Sequence, residues 1–291
     1  MSELTLRIMM IGGRRCGKTS ILASMKSCFA NTLGNTKLTI TSSNNDTMEM
    51  LDRKKEEIDL YYKNKLNLGF VPDDNPSKDS HEYCFDVGIT GKKSNINLIF
   101  YDFPGEWLQY EKKSDILSDE IKKSDVIMVA IDTPHLMEAS GVYCNNKNNC
   151  LIITELLKSN FNKFTNEPKV VLFVPLKSER YRIQKNRHID LNDVQYKIRN
   201  DVYKELINDL SNKGNITIAI TPIFTMGTAE FDKFERDENG KVKLVDISQN
   251  QNKFIPEKPV YHFTSEAYSD GIPLPQCKPI YCEQPLIYIL E

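Results

Sequence analysis

An α/β architecture, a mostly parallel sheet with one antiparallel edge hairpin and helices on both faces, is the fold this chain predicts, and three observations predict it. Residues Leu4–Ile11 are an apolar run of strand length, a glycine-rich segment follows, and residues 20–29 carry apolar side chains with helical period. Two strand patterns, 82–90 and 96–102, are joined by Gly91-Lys92-Lys93-Ser94-Asn95, a hairpin by length and turn chemistry. Beyond them, strands of the buried type at 125–132, 169–175 and 216–221 alternate with helical stretches, the pattern of parallel strands linked by crossover helices.

In chain order, residues 12–19 read GGRRCGKT, a complete G-x-x-x-x-G-K-[ST] pattern lying between strand and helix. Gly12, Gly13 and Gly17 let backbone N–H groups close around a phosphate chain, and the helix that follows points its positive end at the same anion. Arg14, Arg15 and Cys16 complete the loop and Ser20 follows it, so the expected nucleotide contacts run from Gly12 to Ser20. Lys18 is expected to reach the β- and γ-phosphates and to act in catalysis. Thr19 is expected to offer its hydroxyl to Mg²⁺. The plainer reading is a glycine turn with a stray lysine, and the strand–turn–helix context argues against it.

The chain then turns polar from 31 to 45. A helix is expected over 46–65, capped by Asp46 with Glu49 and striped by Met48, Leu51, Ile58 and Tyr61. A loop rich in Pro, Asp and Ser occupies 69–80. The strand at 96–102 ends in Asp102, followed by Phe103-Pro104-Gly105. A carboxylate there can hold the Mg²⁺ shell, and the Gly105 N–H can sense a γ-phosphate. Helices are expected near 114–123, 151–164 and 191–212, the last closed by Gly214. In the C-terminal quarter, Asn239-Gly240 predicts a β-hairpin over 231–245 protruding from the sheet. Residues 283–291 open a helix with Pro285 in its first turn. Either that helix is short or something follows it.

Bulk composition narrows the function classes. The 291 residues, 40% hydrophobic and 27% charged, are those of an ordinary globular protein able to bury a real core. A formal net charge of -2 gives no support to sequence-independent nucleic-acid binding or to a basic membrane-surface patch. No apolar run has the length of a membrane span and the N-terminus lacks the shape of a signal peptide, so the cytosol is the expected compartment. Seven cysteines, an odd number, argue for reduced thiols. Cys16 lies in the loop. Cys144/Cys150 and Cys277/Cys282 are spaced too widely for the usual zinc pair, or at its edge, and read as core or surface thiols.

The order of these elements resembles the Ras-like GTPase domain of the translation-factor-related class, the three-layer P-loop NTPase fold. The resemblance covers most of the chain as a single domain, 1–291, with insertions at about 31–80 and 225–280. Within the class, Phe100-Tyr101-Asp102-Phe103-Pro104-Gly105-Glu106 and Glu283-Gln284-Pro285-Leu286-Ile287-Tyr288 resemble the prokaryotic group called double-GTPases. The resemblance implies GTP/GDP and Mg²⁺ as ligands, with Thr19 and Asp102 serving the metal. Where the class carries Asn/Thr-Lys-x-Asp, this chain reads Leu176-Lys177-Ser178-Glu179. Lys177 would lie on the base face and Glu179 would accept the guanine N–H groups, whereas Leu176 makes no polar contact. Thr221-Pro222 stands where a Ser-Ala pair would support the base. Glu106 replaces the Gln or His that orients water, which implies slow hydrolysis. Arg14 and Arg15 either supply charge in cis or point to solvent. No Thr lies between Thr47 and Thr90, so the switch Thr is replaced by Ser77 or Ser80, or is absent.

The implied function is a nucleotide-controlled switch that binds guanine nucleotide and turns it over. Segments 66–80 and 103–113 would be ordered by the γ-phosphate and meet a protein partner, with Trp107 and Tyr110 as aromatic anchors unless Trp107 packs beneath the loop. Two alternatives stay open at this point: a non-hydrolysing pseudo-GTPase scaffold, and an ATP-using P-loop protein. Homodimerisation across the nucleotide face is open too.

Overall fold

The computed structural model describes residues 4–28, 38–63, 79–89, 95–138, 141–161, 169–181, 189–225, 229–234, 238–239, 244–245, 258–259, 261–265 and 279–290. Seven strands form one sheet: β1 (Leu4–Ile11), β2 (Leu38–Ser42), β3 (His81–Ile89), β4 (Ile96–Asp102), β5 (Val126–Asp132), β6 (Lys169–Leu176) and β7 (Ile216–Ile220). Their order across the sheet is β2-β3-β4-β1-β5-β6-β7. Strands β4, β1, β5, β6 and β7 run parallel, and β2 and β3 add an antiparallel edge. The helices are α1 (Lys18–Cys28), α2 (Asn45–Lys63), α3 (Glu111–Lys123), α4 (Thr133–Leu136), α5 (Val142–Asn148), α6 (Cys150–Phe161), α7 (Leu191–Lys197), α8 (Lys204–Ser211) and α9 (Gln284–Leu290). The expected fold class is the observed one.

Strand alternation builds a core on each face. Ile8 and Met10 of β1, with Val126 and Met128 of β5, pack with Ile21 and Leu22 of α1, Leu51 of α2 and Leu286 of α9. Met9, Ile11, Ile127 and Val129 pack with Leu117 of α3, Leu157 of α6, Val194 of α7 and Leu206 of α8. All seven residues of β5 are buried. Fully burying a large apolar side chain is worth about 1.5–3 kcal/mol, so this one strand outweighs any surface ion pair and fixes the loop that starts at Asp132. Among the described residues, no helix is long and apolar enough to cross a membrane.

Five local expectations are corrected. The polar stretch 31–45 contains β2, whose alternation of Leu38 and Ile40 with Thr39 and Thr41 is a strand signal of minimal length. Asn44, not Asp46, caps α2, its carboxamide oxygen accepting the Thr47 N–H at 2.8 Å. Met48 lies 47% exposed, off the buried stripe of Leu51 and Ile58. The helical stretch 191–212 is interrupted by a π-turn at Ile198–Val202. Finally, among the described residues the two strands expected to form the 231–245 hairpin do not pair with each other: β8 (Ala229–Phe234) pairs with β11 (Tyr261–Ser265), and β9 (Leu244–Val245) pairs with β10 (Lys258–Pro259). The β8–β11 ladder runs from Phe234 opposite Tyr261 to Ala229 opposite Ser265, longer than the two-residue β9 could offer β8. The expected turn 91–94 and most of 66–80, Ser77 included, lie outside the described residues.

Candidate functional site

The site is built from the segments that leave the C-terminal ends of β1, β4, β5, β6 and β7, where parallel sheets present their ligand loops. The loop after β1 is tight. Arg15 (φ 62°) and Gly17 (φ 110°) are left-handed, and Cys16 is buried. A Cβ on Gly13 would lie 1.9 Å from the carbonyl oxygen of Lys147, so only glycine fits against the end of α5. Lys18 is 7% exposed, its ammonium donating to the Gly12 carbonyl at 3.2 Å and standing 5.8 Å above the Phe103 ring. The Thr19 hydroxyl donates to Asp102 Oδ2 at 2.6 Å, while Asp102 Oδ1 is buried and accepts no hydrogen bond among the described residues. Burial pushes the Asp102 carboxyl above its usual pKa, against the pull of Lys18 and the Thr19 hydrogen bond. A buried carboxylate oxygen beside the Thr19 hydroxyl offers the hard oxygen donors that Mg²⁺ takes, so these residues would fit that ion. Tyr83 of β3 also reaches this spot, hydrogen-bonded to Thr19. Nothing in the sequence pattern marks it.

The segment after β4 lies directly on the loop. A Cβ on Gly105 would sit 2.4 Å from the Arg14 nitrogen and 2.5 Å from the Gly13 carbonyl carbon. Gly105 opens a 3-10 turn, Gly105–Gln109, and the next residue, Glu106, places Oε1 2.6 Å from Arg14 Nε. Sequence reasoning treated Arg14 and Glu106 separately; the fold makes them a pair. Trp107 is 8% exposed, stacked on Phe103 at 6.3 Å with the Lys113 ammonium 3.9 Å from its ring centre. It packs beneath the loop and leaves Tyr110, 57% exposed, as the aromatic residue of 103–113 open to a partner.

A cluster that sequence reasoning missed closes the third side. Asp132 ends β5, is 2% exposed, and places one oxygen 2.7 Å from His135 Nδ1 and the other 2.5 Å from Lys177 Nζ. Burial works to raise its pKa, but the His135 and Lys177 charges hold it well below the usual carboxylate range. The backbone of Asp132 is clamped by the Asn148 carboxamide, which accepts from its N–H at 2.7 Å and donates to its carbonyl at 3.1 Å. The signal was Asp132-Thr133-Pro134, a helix N-cap with proline inside the first turn. Asn149, left-handed at φ 52°, accepts from Gln109 at 3.3 Å.

The expected base-reading residues lie on the loops after β6 and β7. Lys177 is left-handed (φ 56°), and its ammonium is committed to Asp132. Leu176 is fully buried under Gly17. Glu179 was expected to face a base; it is fully buried in the turn Glu179–Tyr181. Thr221, 3% exposed, has a buried hydroxyl that makes no hydrogen bond among the described residues. Ser20 is half-buried on the first turn of α1, and Ser80 half-buried at the entrance to β3.

No curated protein matches the chain. Among solved structures it is similar to the Saccharomyces cerevisiae Ski7 GTPase-like domain bound to GDP and inorganic phosphate, at 15% identity and a TM-score of 0.45. It is similar to the same domain bound to GTP, at 16% identity and a TM-score of 0.46. Each match covers 76% of this chain and 43% of the other, so the chain spans less than half the length of those relatives. The profile of the family Double-GTPase 2 matches residues 7–230, the stretch that runs from β1 into β8, and the chain belongs to that family.

Proposed function

We propose that this chain is a Mg²⁺-dependent guanine-nucleotide switch that hydrolyses GTP slowly. The observation that carries the reading is the Thr19–Asp102 pair, whose second carboxylate oxygen is buried with no hydrogen-bond partner among the described residues and feels the charge of Lys18. Thr19 and Asp102 would hold Mg²⁺, which supplies positive charge to the β- and γ-phosphate oxygens. Lys18 exchanges the Gly12 carbonyl for phosphate oxygen. Gly105 meets the backbone of Gly13 and Arg14 with no space between them. A γ-phosphate seated against the loop therefore has to displace Gly105, and a diphosphate does not. That difference is what makes 103–113 a two-state element, with Tyr110 the residue it offers to a protein partner.

Chromatography of the nucleotide that co-purifies with the protein tests this reading: guanine nucleotide supports it, and adenine nucleotide or none refutes it. Base choice is assigned to Glu179 with Lys177 and Thr221; to meet a base, Glu179 has to turn out of its buried position and Lys177 has to leave Asp132. Losing an acceptor for two guanine N–H groups costs about 1–3 kcal/mol, so Glu179→Ala should weaken GDP binding about tenfold. ATP binding should not change. Equal loss for both nucleotides moves the specificity determinant elsewhere.

The Arg14–Glu106 pair supports slow turnover, because it engages at once the two residues available to carry charge and to orient water. We expect the isolated chain to hydrolyse GTP on the order of 10⁻⁴–10⁻² s⁻¹. Glu106→Gln removes the repulsion of phosphate and releases Arg14, so single-turnover hydrolysis should be equal or faster with GTP affinity intact. A collapse of the rate would make Glu106 the group that holds the water. The same pair favours a second reading, a binding scaffold without turnover, and a rate of zero in the wild type would select it.

A further inference from the structure

Cys144 and Cys150 take no part in the nucleotide chemistry, yet the fold brings them together. Their sulfurs are 3.6 Å apart, with both residues buried. In one continuous helix, six residues separate two positions by about 9 Å along the axis. The left-handed Asn149 breaks the helix between α5 and α6 and folds the two sulfurs onto each other. The Cys150 thiol also faces the Cys144 carbonyl oxygen at 3.5 Å. The hydrogen bond from Cys150 holds the Cys144 thiol below its usual pKa despite burial. The same hydrogen bond, with burial, pushes Cys150 well up. Cys144 is thus the sulfur suited to attack.

We propose that Cys144 and Cys150 are an oxidisable dithiol that a hydroperoxide closes to a disulfide, and that closure loosens the hold of the Gly12–Thr19 loop on its nucleotide. The second half of this rests on the nucleotide binding proposed above. The Cys144 thiolate attacks the peroxide O–O bond, forming the S–O bond of a sulfenic acid and releasing an alcohol or water. Cys150 then attacks that sulfur; the S–O bond breaks, the hydroxide departs with the Cys150 proton as water, and the S–S bond forms. Two thiols are oxidised by two electrons and one peroxide is reduced. A disulfide needs about 2.05 Å between sulfurs, so the pair closes by about 1.5 Å. The helix that moves is α5, and its last turn is the part wedged against the loop. The Lys147 carbonyl fills the space where Gly13 would carry a Cβ, Asn148 clamps Asp132, and Asn149 holds Gln109 of the turn after Gly105.

The experiment uses the full chain, reduced, loaded with fluorescent GDP and exposed to hydrogen peroxide. Peptide mapping should find Cys144 joined to Cys150 with the loss of two hydrogens, and Cys16 and Cys282 free. Nucleotide release should quicken about tenfold, within the usual range of coupling between sites, and dithiothreitol should restore it. Cys144→Ser and Cys150→Ser should each lose both effects. No Cys144–Cys150 link, or a link that leaves release unchanged, overturns the proposal. A reduced wild type that binds no guanine nucleotide overturns the functional reading instead, and the peptide map still decides on the dithiol.

Discussion

Lys18→Ala is expected to abolish nucleotide binding and to leave the fold standing. In the absence of phosphate the Lys18 ammonium is held by one carbonyl, that of Gly12, and by the face of Phe103. Neither contact fills the core, so thermal unfolding of the nucleotide-free variant should move little. Each hydrogen bond from an ammonium to phosphate is worth about 1.5–3 kcal/mol, and two of them account for a loss of about 100-fold or more. Titration calorimetry with GDP and Mg²⁺ measures it. Wild-type affinity in the variant would mean that residues 12–19 do not hold the phosphates.

Asp132→Ala should have the largest effect on stability. It strips the partner from the Lys177 ammonium and from His135 Nδ1, in a place where the carboxylate is 2% exposed, and it removes the cap of α4. Removing one member of a buried ion pair costs about 3–5 kcal/mol, which lowers the unfolding temperature by something on the order of 10 °C. The sign of the pH dependence follows from the depressed pKa. The folded state binds the proton of Asp132 less readily than the unfolded chain, so the contribution is fully present above the ordinary carboxylate range and is lost as pH falls through the depressed value. The gap between wild type and variant should therefore narrow below about pH 4. A gap that is constant with pH would show that the helix cap, not the charge, carries the effect.

The parts of the fold legible in the sequence were those with a local cause. Leu4–Ile11, Ile96–Asp102 and the other long strands are apolar runs bounded by turn residues, and alternation with helices fixes them as parallel. Strand β2 escaped because five residues with two inward apolar positions barely rise above a polar background, and α4 and α5 because helices of one and two turns have no stripe to read. The site divides along the same line. The loop glycines, Lys18, Thr19 and Asp102 are legible because a phosphate dictates their types and spacing. The Asp132–His135–Lys177 cluster and the Arg14–Glu106 pair join residues far apart in sequence, and only the order of the strands brings them together.

Among the described residues, four non-glycine positions have a left-handed backbone, and three of them, Arg15, Asn149 and Lys177, surround the site. Each carries a conformational strain of roughly 1–2 kcal/mol that glycine would not. An engineer seeking a more heat-resistant chain would be drawn to these positions first, since glycine there relieves strain without touching the core. The exchanges at Asn149 and Lys177 delete the side chains that hold Gln109 and Asp132, and the one at Arg15 removes a charge from the loop after β1. The easiest gains in robustness and the working parts of the molecule share the same addresses, so hardening this protein has to begin elsewhere, on the exposed faces of its helices.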